Sequence, residues 1–347
     1  MASRFCKYFL MRKLGHLFLR ILLVLFFVVL LFFAYVNLPG PAPREDVHLG
    51  MTFSSRYAED LGLDWRETYL ALLDDVSVRR LRLPAYWDMI ESREGEYDFS
   101  QLDWQIEEAR ARNGEVIVVV GQRLPRWPEC HIPAWAKEDE KKRKAALLRM
   151  IDTTVRHYQE NPAVIAWQVE NEPFLTFFGE CPPLDVDFLE SEIALVKALD
   201  PARPVIVTDS GELSLWVRAA KRADIFGTTL YRIIYKPILG HFTYPLGPNF
   251  FLVKEWMVRA FTGQEHFMVV ELQAEPWTSG WVVGVPLEEQ FIGMDEKKLI
   301  ENVDYARRVG FQDIYLWGGE WWYWLKVEKD YPALWETGKE LFRQYGK

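Results

Sequence analysis

The chain has 347 residues, 50% of them hydrophobic, which is ample for a large core and is not the composition of a disordered protein. A formal net charge of −9 argues against a nucleic-acid ligand, because phosphate binding needs a basic stripe and the body of the chain has none. Fifteen Trp fit either a large core or a set of sugar platforms, since the C–H faces of pyranose rings stack on indole.

The first element is the uncharged apolar run ILLVLFFVVLLFFAYV at residues 21–36, extending to about Leu38. At 1.5 Å per residue it is just long enough to cross a bilayer core of roughly 30 Å. Arg4, Lys7, Arg12, Lys13 and Arg20 precede it, whereas LPGPAPRED follows with one base and two acids. The positive-inside rule then leaves the N-terminus in the cytoplasm and everything after residue 40 outside. The run is longer than a usual signal core and no small-x-small site follows it cleanly, so an uncleaved anchor is expected, with a cleaved signal peptide as the alternative. The expected organisation is a cytoplasmic basic tail (1–20), a transmembrane signal anchor (21–38), a Pro-rich linker (39–46) and one exported domain (47–347). Such a chain is a single-pass protein of the cytoplasmic membrane. The linker should be stiff and extended, at about 3.1 Å per residue, holding the domain within roughly 30 Å of the bilayer.

Beyond the linker, short apolar runs alternate with amphipathic segments. Strands are expected at 47–53, 78–84, 115–122, 163–171, 204–209, 224–231, 266–273 and 312–318. Helices follow near 65–76, 100–113, 138–160, 185–199, 213–222, 250–262, 295–308 and 331–345. Near-continuous apolar strands separated by helices imply a parallel sheet covered on its outer face. Eight such units in about 300 residues fit a closed (β/α)₈ TIM barrel in the α/β class, preceded by one N-terminal transmembrane helix. A dinucleotide fold is disfavoured, because Thr52-Phe53-Ser54-Ser55 stands where its Gly-rich turn would be.

In such barrels chemistry collects at the C-terminal ends of the strands. Strand two ends near Arg82, strand three at Gln122, and strand four at Asn171 and Glu172 in AWQVENEP. Strand six ends at Tyr231, strand seven at Glu271, and strand eight at Trp317. Two carboxylates thus emerge on nearly opposite sides of the barrel mouth, the pair that glycoside hydrolysis needs. Glu172 could instead satisfy backbone N–H groups at a helix start. Glu275 is a rival to Glu271, since the two share a face of the strand. Glu170 is expected inside the barrel or paired with a base such as Arg82. Trp87, Trp127, Trp135, Trp277, Trp321 and Trp322 follow strands, where sugar platforms would lie, and Glu320 is either a hydroxyl ligand or a solvated loop acid.

These motifs resemble those of the clan A glycoside hydrolases, retaining (β/α)₈ enzymes, with QVENEP and MVVELQAEPW most similar to the family 42 β-galactosidases and family 5 cellulases and mannanases a near second. The resemblance implies Glu172 as acid/base, following Asn171, and Glu271 as nucleophile. It implies Arg82, Asn171, Tyr231 and Trp317 around the sugar, with Gln122 and Trp277 as further substrate contacts, and Asn171 on the 2-hydroxyl. A cation at Arg82 would favour the charged form of the nucleophile. The expected activity is double-displacement cleavage of a β-linked oligo- or polysaccharide, without a cofactor. A transglycosylase that remodels envelope polysaccharide would use the same residues, whereas a non-catalytic carbohydrate-binding barrel would lack one of the two Glu. The sequence departs from family 42 at 174–183 and 236–248.

Cys6 falls in the basic tail, leaving Cys130 and Cys181 in the exported part, in adjacent loops at the barrel mouth. An oxidising compartment makes a Cys130–Cys181 disulfide the expectation and two separately buried thiols the alternative. The six His are scattered and no metal spacing occurs, so no metal site is expected.

Overall fold

The computed structural model describes residues 2–346, with side chains from Leu14 onward. The side chains of Cys6 and of the bases Arg4, Lys7, Arg12 and Lys13 lie outside the described residues. Ala2–Val36 is one continuous helix. Its Leu14–Val36 stretch is long and apolar enough to cross a membrane, and its side chains are exposed up to Tyr35.

The strands are β1 (His48–Thr52), β2 (Arg80–Pro84), β3 (Glu115–Val120), β4 (Val164–Val169), β5 (Val205–Asp209), β6 (Ile225–Leu230), β7 (Phe267–Gln273) and β8 (Asp313–Trp317). All are parallel to their neighbours, and β1 pairs with both β2 and β8, so the sheet closes into a (β/α)₈ TIM barrel. The β-branched runs dictate this. In EVIVVV every residue after the first is buried, because one face fills the barrel and the other meets the helices.

Ile117, Ala166, Ile206, Met268, Val270 and Tyr315 pack together inside the barrel. Gly50 is required there, since a Cβ would come within 2.6 Å of the Tyr315 ring. The outer faces join the helices in one large apolar core. Four of those helices start on an Asp whose side chain accepts from the first turn: Asp64, Asp139, Asp185 and Asp295.

Three departures from the sequence pattern matter. The helix expected at 213–222 contracts to Val217–Ala220. Trp216, just before it, adopts φ +67 and buries its indole with Nε1 donating to the Ser210 carbonyl at 2.9 Å, which breaks the helical run. After β6 the chain makes an antiparallel hairpin, Ile233–Lys236 with Gly240–Thr243. Residues 39–46, expected to be an extended spacer, lie against the barrel instead: Arg44 N donates to the Arg307 carbonyl at 3.0 Å, Arg307 Nε to the Arg44 carbonyl at 2.8 Å, and Arg308 Nη1 to the Pro41 carbonyl at 3.2 Å.

Candidate active site

Arg82 is fully buried on β2 and spreads its guanidinium over five acceptors, three of them within 3 Å. Nε donates to Gln168 Oε1 at 2.7 Å, Nη2 to Asn171 Oδ1 at 2.8 Å, and Nη1 to Glu271 Oε1 at 2.9 Å. Tyr231, just past β6, donates its hydroxyl to the other Glu271 oxygen, Oε2, at 2.8 Å. Both oxygens of Glu271 are therefore held, and held by donors, which fixes the direction in which the carboxylate points. An unpaired carboxylate here would be costly; removing Arg82 from such a network typically costs about 3–5 kcal/mol.

Glu172 is built differently. Two of the three residues after β4 occupy the left-handed region, Glu170 at φ +58 and Glu172 at φ +43, a conformation that costs non-glycine residues energy and clusters at functional sites. Thr208 Oγ1 accepts from the Glu172 backbone N–H at 2.8 Å, and the Thr229 hydroxyl donates to Glu172 Oε1 at 3.1 Å. Burial pushes this carboxyl well above the usual carboxylate range, and the charge of Glu271 pushes it further. A buried acid with one weak neutral partner is biased toward its protonated form, whereas its counterpart is gripped by a guanidinium and a phenol.

Both carboxyls line one cleft of about 410 Å³ at the C-terminal mouth of the barrel, with Tyr231, Trp277, Trp281, Trp127 and Trp317 around them. Trp277 meets the Tyr231 ring edge-on, at 5.5 Å between centroids. Arg82 and Asn171 do not line this cleft. They stand behind the carboxyls, because Arg82 has taken the Asn171 carbonyl oxygen and Glu129 accepts from Asn171 Nδ2 at 3.2 Å. Arg82 and Asn171, expected around the sugar, are thus placed one layer behind the residues that line the cleft.

Gln122 is also corrected. β3 ends at Val120, Gly121 turns the chain with φ +134, and Gln122 lines a separate cavity with Glu170 and Glu192. Glu170 pairs with no arginine of the barrel interior. Its carboxylate accepts from the backbone N–H groups of Gln122 at 2.9 Å and Arg123 at 2.6 Å, clasping the loops after β3 and β4. A Cβ at Gly121 would collide with it. Glu320 is neither solvated nor in the cleft: it is fully buried, accepts from Ser54 N at 2.6 Å, and pairs with Arg126 at 3.3 Å. Trp87, Trp321 and Trp322 are core residues with no exposure.

Two cleft residues escaped the sequence reading. Glu129 is a third buried acid at the site, its carboxyl pushed up to about 8 by burial, against the opposing charge of Arg123. Arg126 lies between the rings of Tyr57 and Trp317, at 3.6 and 3.9 Å from their centroids, and pairs with Glu275 as well as Glu320. Glu275 lines the cleft as well, and its cation is Arg126 where that of Glu271 is Arg82. Both residues sit in RLPRWPEC at positive φ, Arg126 at +87 and Glu129 at +72. The signals for this loop in the sequence are Trp127 and Cys130, and neither points to Arg126 or Glu129.

The structure joins Cys130 and Cys181 in a disulfide with Cα atoms 5.2 Å apart, next to Glu129. Closing a loop over 51 residues restricts the unfolded chain, an effect of about 4 kcal/mol in the chain-entropy picture. Thiol counting on the unfolded, unreduced chain should find only Cys6 reactive; two further reactive cysteines would remove the bridge. Among the described residues no group of three or more His, Cys, Asp or Glu could hold a metal ion.

The fold is a (β/α)₈ barrel similar to those of several solved glycoside hydrolases. The chain is similar to a family 5 mannosidase from Rhizomucor miehei, with a TM-score of 0.53 and 14% identity over 80% of this chain and 82% of that one. It is similar to xylanase 10B from Thermotoga petrophila RKU-1, with a TM-score of 0.51 and 16% identity over 81% and 86%. A β-galactosidase from Rahnella sp. R3 gives 0.52 and 11% over 81% of this chain, which spans about half (52%) of that enzyme's length. At these identities the likeness establishes the fold. No protein-family model and no curated protein matches the chain.

Proposed function

We propose that this protein is a retaining β-glycosidase anchored at the cytoplasmic membrane. One observation carries the reading: two carboxyls share a cleft in opposite electrostatic settings, Glu271 bonded by Arg82 and Tyr231, and Glu172 buried with its proton retained. Glu172 gives that proton to the glycosidic oxygen as Glu271 attacks the anomeric carbon and the bond to the leaving group breaks. The product of this step is a glycosyl ester on Glu271, and the Glu271 charge is gone. Since that charge was one of the causes holding the Glu172 proton, its loss lowers the Glu172 pKa and leaves the carboxyl ionised, free to take a proton from water. Water then displaces Glu271 and the sugar leaves with its original anomeric configuration.

The tryptophans that rim the cleft suit the apolar faces of sugar rings. The anchor reading is supported at the helix end, whose last carbonyls have no partners within the helix itself. Asn249 Nδ2 donates to the carbonyls of Tyr35 at 3.1 Å and Leu38 at 3.3 Å, and Val36 is buried against the barrel. A leader destined for removal needs no such fastening.

Proton NMR of the first product formed from a panel of β-linked aryl glycosides tests the reaction. The β-anomer should appear first and mutarotate later. An α-anomer as first product would mean an inverting enzyme, whose carboxyls stand roughly 6.5–9.5 Å apart rather than the 5–5.5 Å of a retaining pair.

A further inference from the structure

The loop after β6 serves two neighbours. Tyr231, Ile234, Lys236 and Tyr244 form one wall of the cleft. A few residues on, the same loop holds the end of the N-terminal helix. Asn37 Nδ2 donates to the Pro245 carbonyl at 3.1 Å, Gly247 packs against the Val36 carbonyl so tightly that a Cβ would not fit, and Asn249 holds Tyr35 and Leu38. Between wall and grip rises the hairpin Ile233–Lys236 and Gly240–Thr243.

The tip of that hairpin has the wrong residues for water. Turns ordinarily carry Gly, Asn, Asp or Ser, yet here Ile238 is 96% exposed and Leu239 67% exposed, with the exposed Lys236 beside them. Leu239 is six positions before Pro245, so the tip stands at most roughly 20 Å from Pro245, whose carbonyl holds Asn37 just past the helix. Tyr35, exposed on the last helical turn, is the residue type that sits at a membrane–water boundary. An apolar tip with a lysine at its base matches what enters such a boundary under anionic headgroups.

We infer that Ile238 and Leu239 dip into the bilayer that the N-terminal helix crosses, and that the cleft beside them takes a β-linked glycan carried on a lipid in that same leaflet. The inference rests on the anchored glycosidase proposed above. The bilayer is the occupant because the loop bearing the tip is fastened to the segment that leaves it. A glycan tethered to a lipid would reach Glu172 and Glu271 along the β6 wall.

The test uses the full chain in vesicles of phosphatidylethanolamine and phosphatidylglycerol. In a Cys6→Ser background, Leu239→Cys carries an environment-sensitive fluorophore, with Arg93→Cys, past β2 on the opposite side of the barrel, as the reference. The label at 239 should shift to the blue and be quenched by spin-labelled lipid, while the label at 93 should not. Separately, Ile238→Asp with Leu239→Asp should lower kcat/KM about tenfold on alkyl β-glycosides embedded in the vesicles, and leave soluble aryl β-glycosides within about twofold of wild type. A water-like, unquenched label at 239 overturns the membrane contact. Equal losses on both kinds of substrate overturn the lipid-borne substrate. If the wild-type chain turns over neither kind, the glycosidase reading fails, and the quenching still decides the hairpin contact.

Discussion

Glu271→Gly should lower turnover of β-glycosides on the order of 10⁵-fold, as losing a covalent nucleophile does elsewhere. The size follows from what Glu271 alone supplies. Its two oxygens are aimed by Arg82 and Tyr231, while the Thr229 hydroxyl supports Glu172. The nearby Glu275 is turned to Arg126. The substitution also opens a space the size of a carboxylate beside the anomeric carbon. Azide should enter it and restore a product, an α-glycosyl azide, with Glu172 still present to protonate the leaving group. Recovery of a β-azide instead would assign the nucleophile's role elsewhere.

Glu172→Gln should cost about 10²–10⁴-fold, the usual worth of a positioned proton donor. The loss should depend on the leaving group. A dinitrophenyl glycoside departs without a proton and should be nearly spared in its first step, whereas an alkyl glycoside should suffer in full. The pH profile carries a separate signature. Burial and the Glu271 charge raise the Glu172 pKa, so the wild-type enzyme holds its donor at neutral pH and loses kcat/KM as pH rises through that value. The Gln variant has no such proton, and its alkaline limb should vanish. An alkaline limb unchanged in the variant would assign that titration to another group, with Glu129, raised to about 8, the first to examine.

Much of this architecture could be read directly, for a physical reason. Strands buried on both faces must be apolar at every position, so EVIVVV and VIVTD announce themselves. A charged residue immediately after such a run has nowhere to go but the rim, which is why Glu172 and Glu271 stood out. Arg82 stood out likewise, as a cation inside RLRLP. The loops resisted because their geometry depends on torsions that residue type does not announce. Arg126, Glu129, Glu170 and Glu172 all adopt positive φ without being glycine. Gln122 is expected at the cleft because strand three reads as running to residue 122, whereas it ends at Val120 and Gly121 turns the chain. Trp321 and Trp322 looked like loop platforms because the helix that carries them, Gly319–Glu328, is apolar on nearly every side and shows no amphipathic period. Glu129 matters to the site through Asn171 and through its neighbour Cys130, contacts that only the folded chain brings together.

The sandwich around Arg126 makes the cleft mechanically lopsided. Its guanidinium touches Tyr57 from the loop after β1, Glu275 from the loop after β7, and Trp317 and Glu320 from the end of β8, while its own backbone belongs to the loop after β3. Four connections that would otherwise fluctuate separately are therefore locked into one cooperative unit, and none can open without stripping a buried cation of its partners. The opposite bank, built from the β6 hairpin, is clamped at its base, where Gln273 Oε1 accepts from the Arg232 and Ile233 N–H groups, while its tip stands exposed. Ligands must fit the stiff bank as they find it, and whatever yielding the enzyme offers to longer or bulkier chains comes from the other. Amide exchange should map that division, with slow exchange shared across the four knotted loops and faster, independent exchange at 233–243.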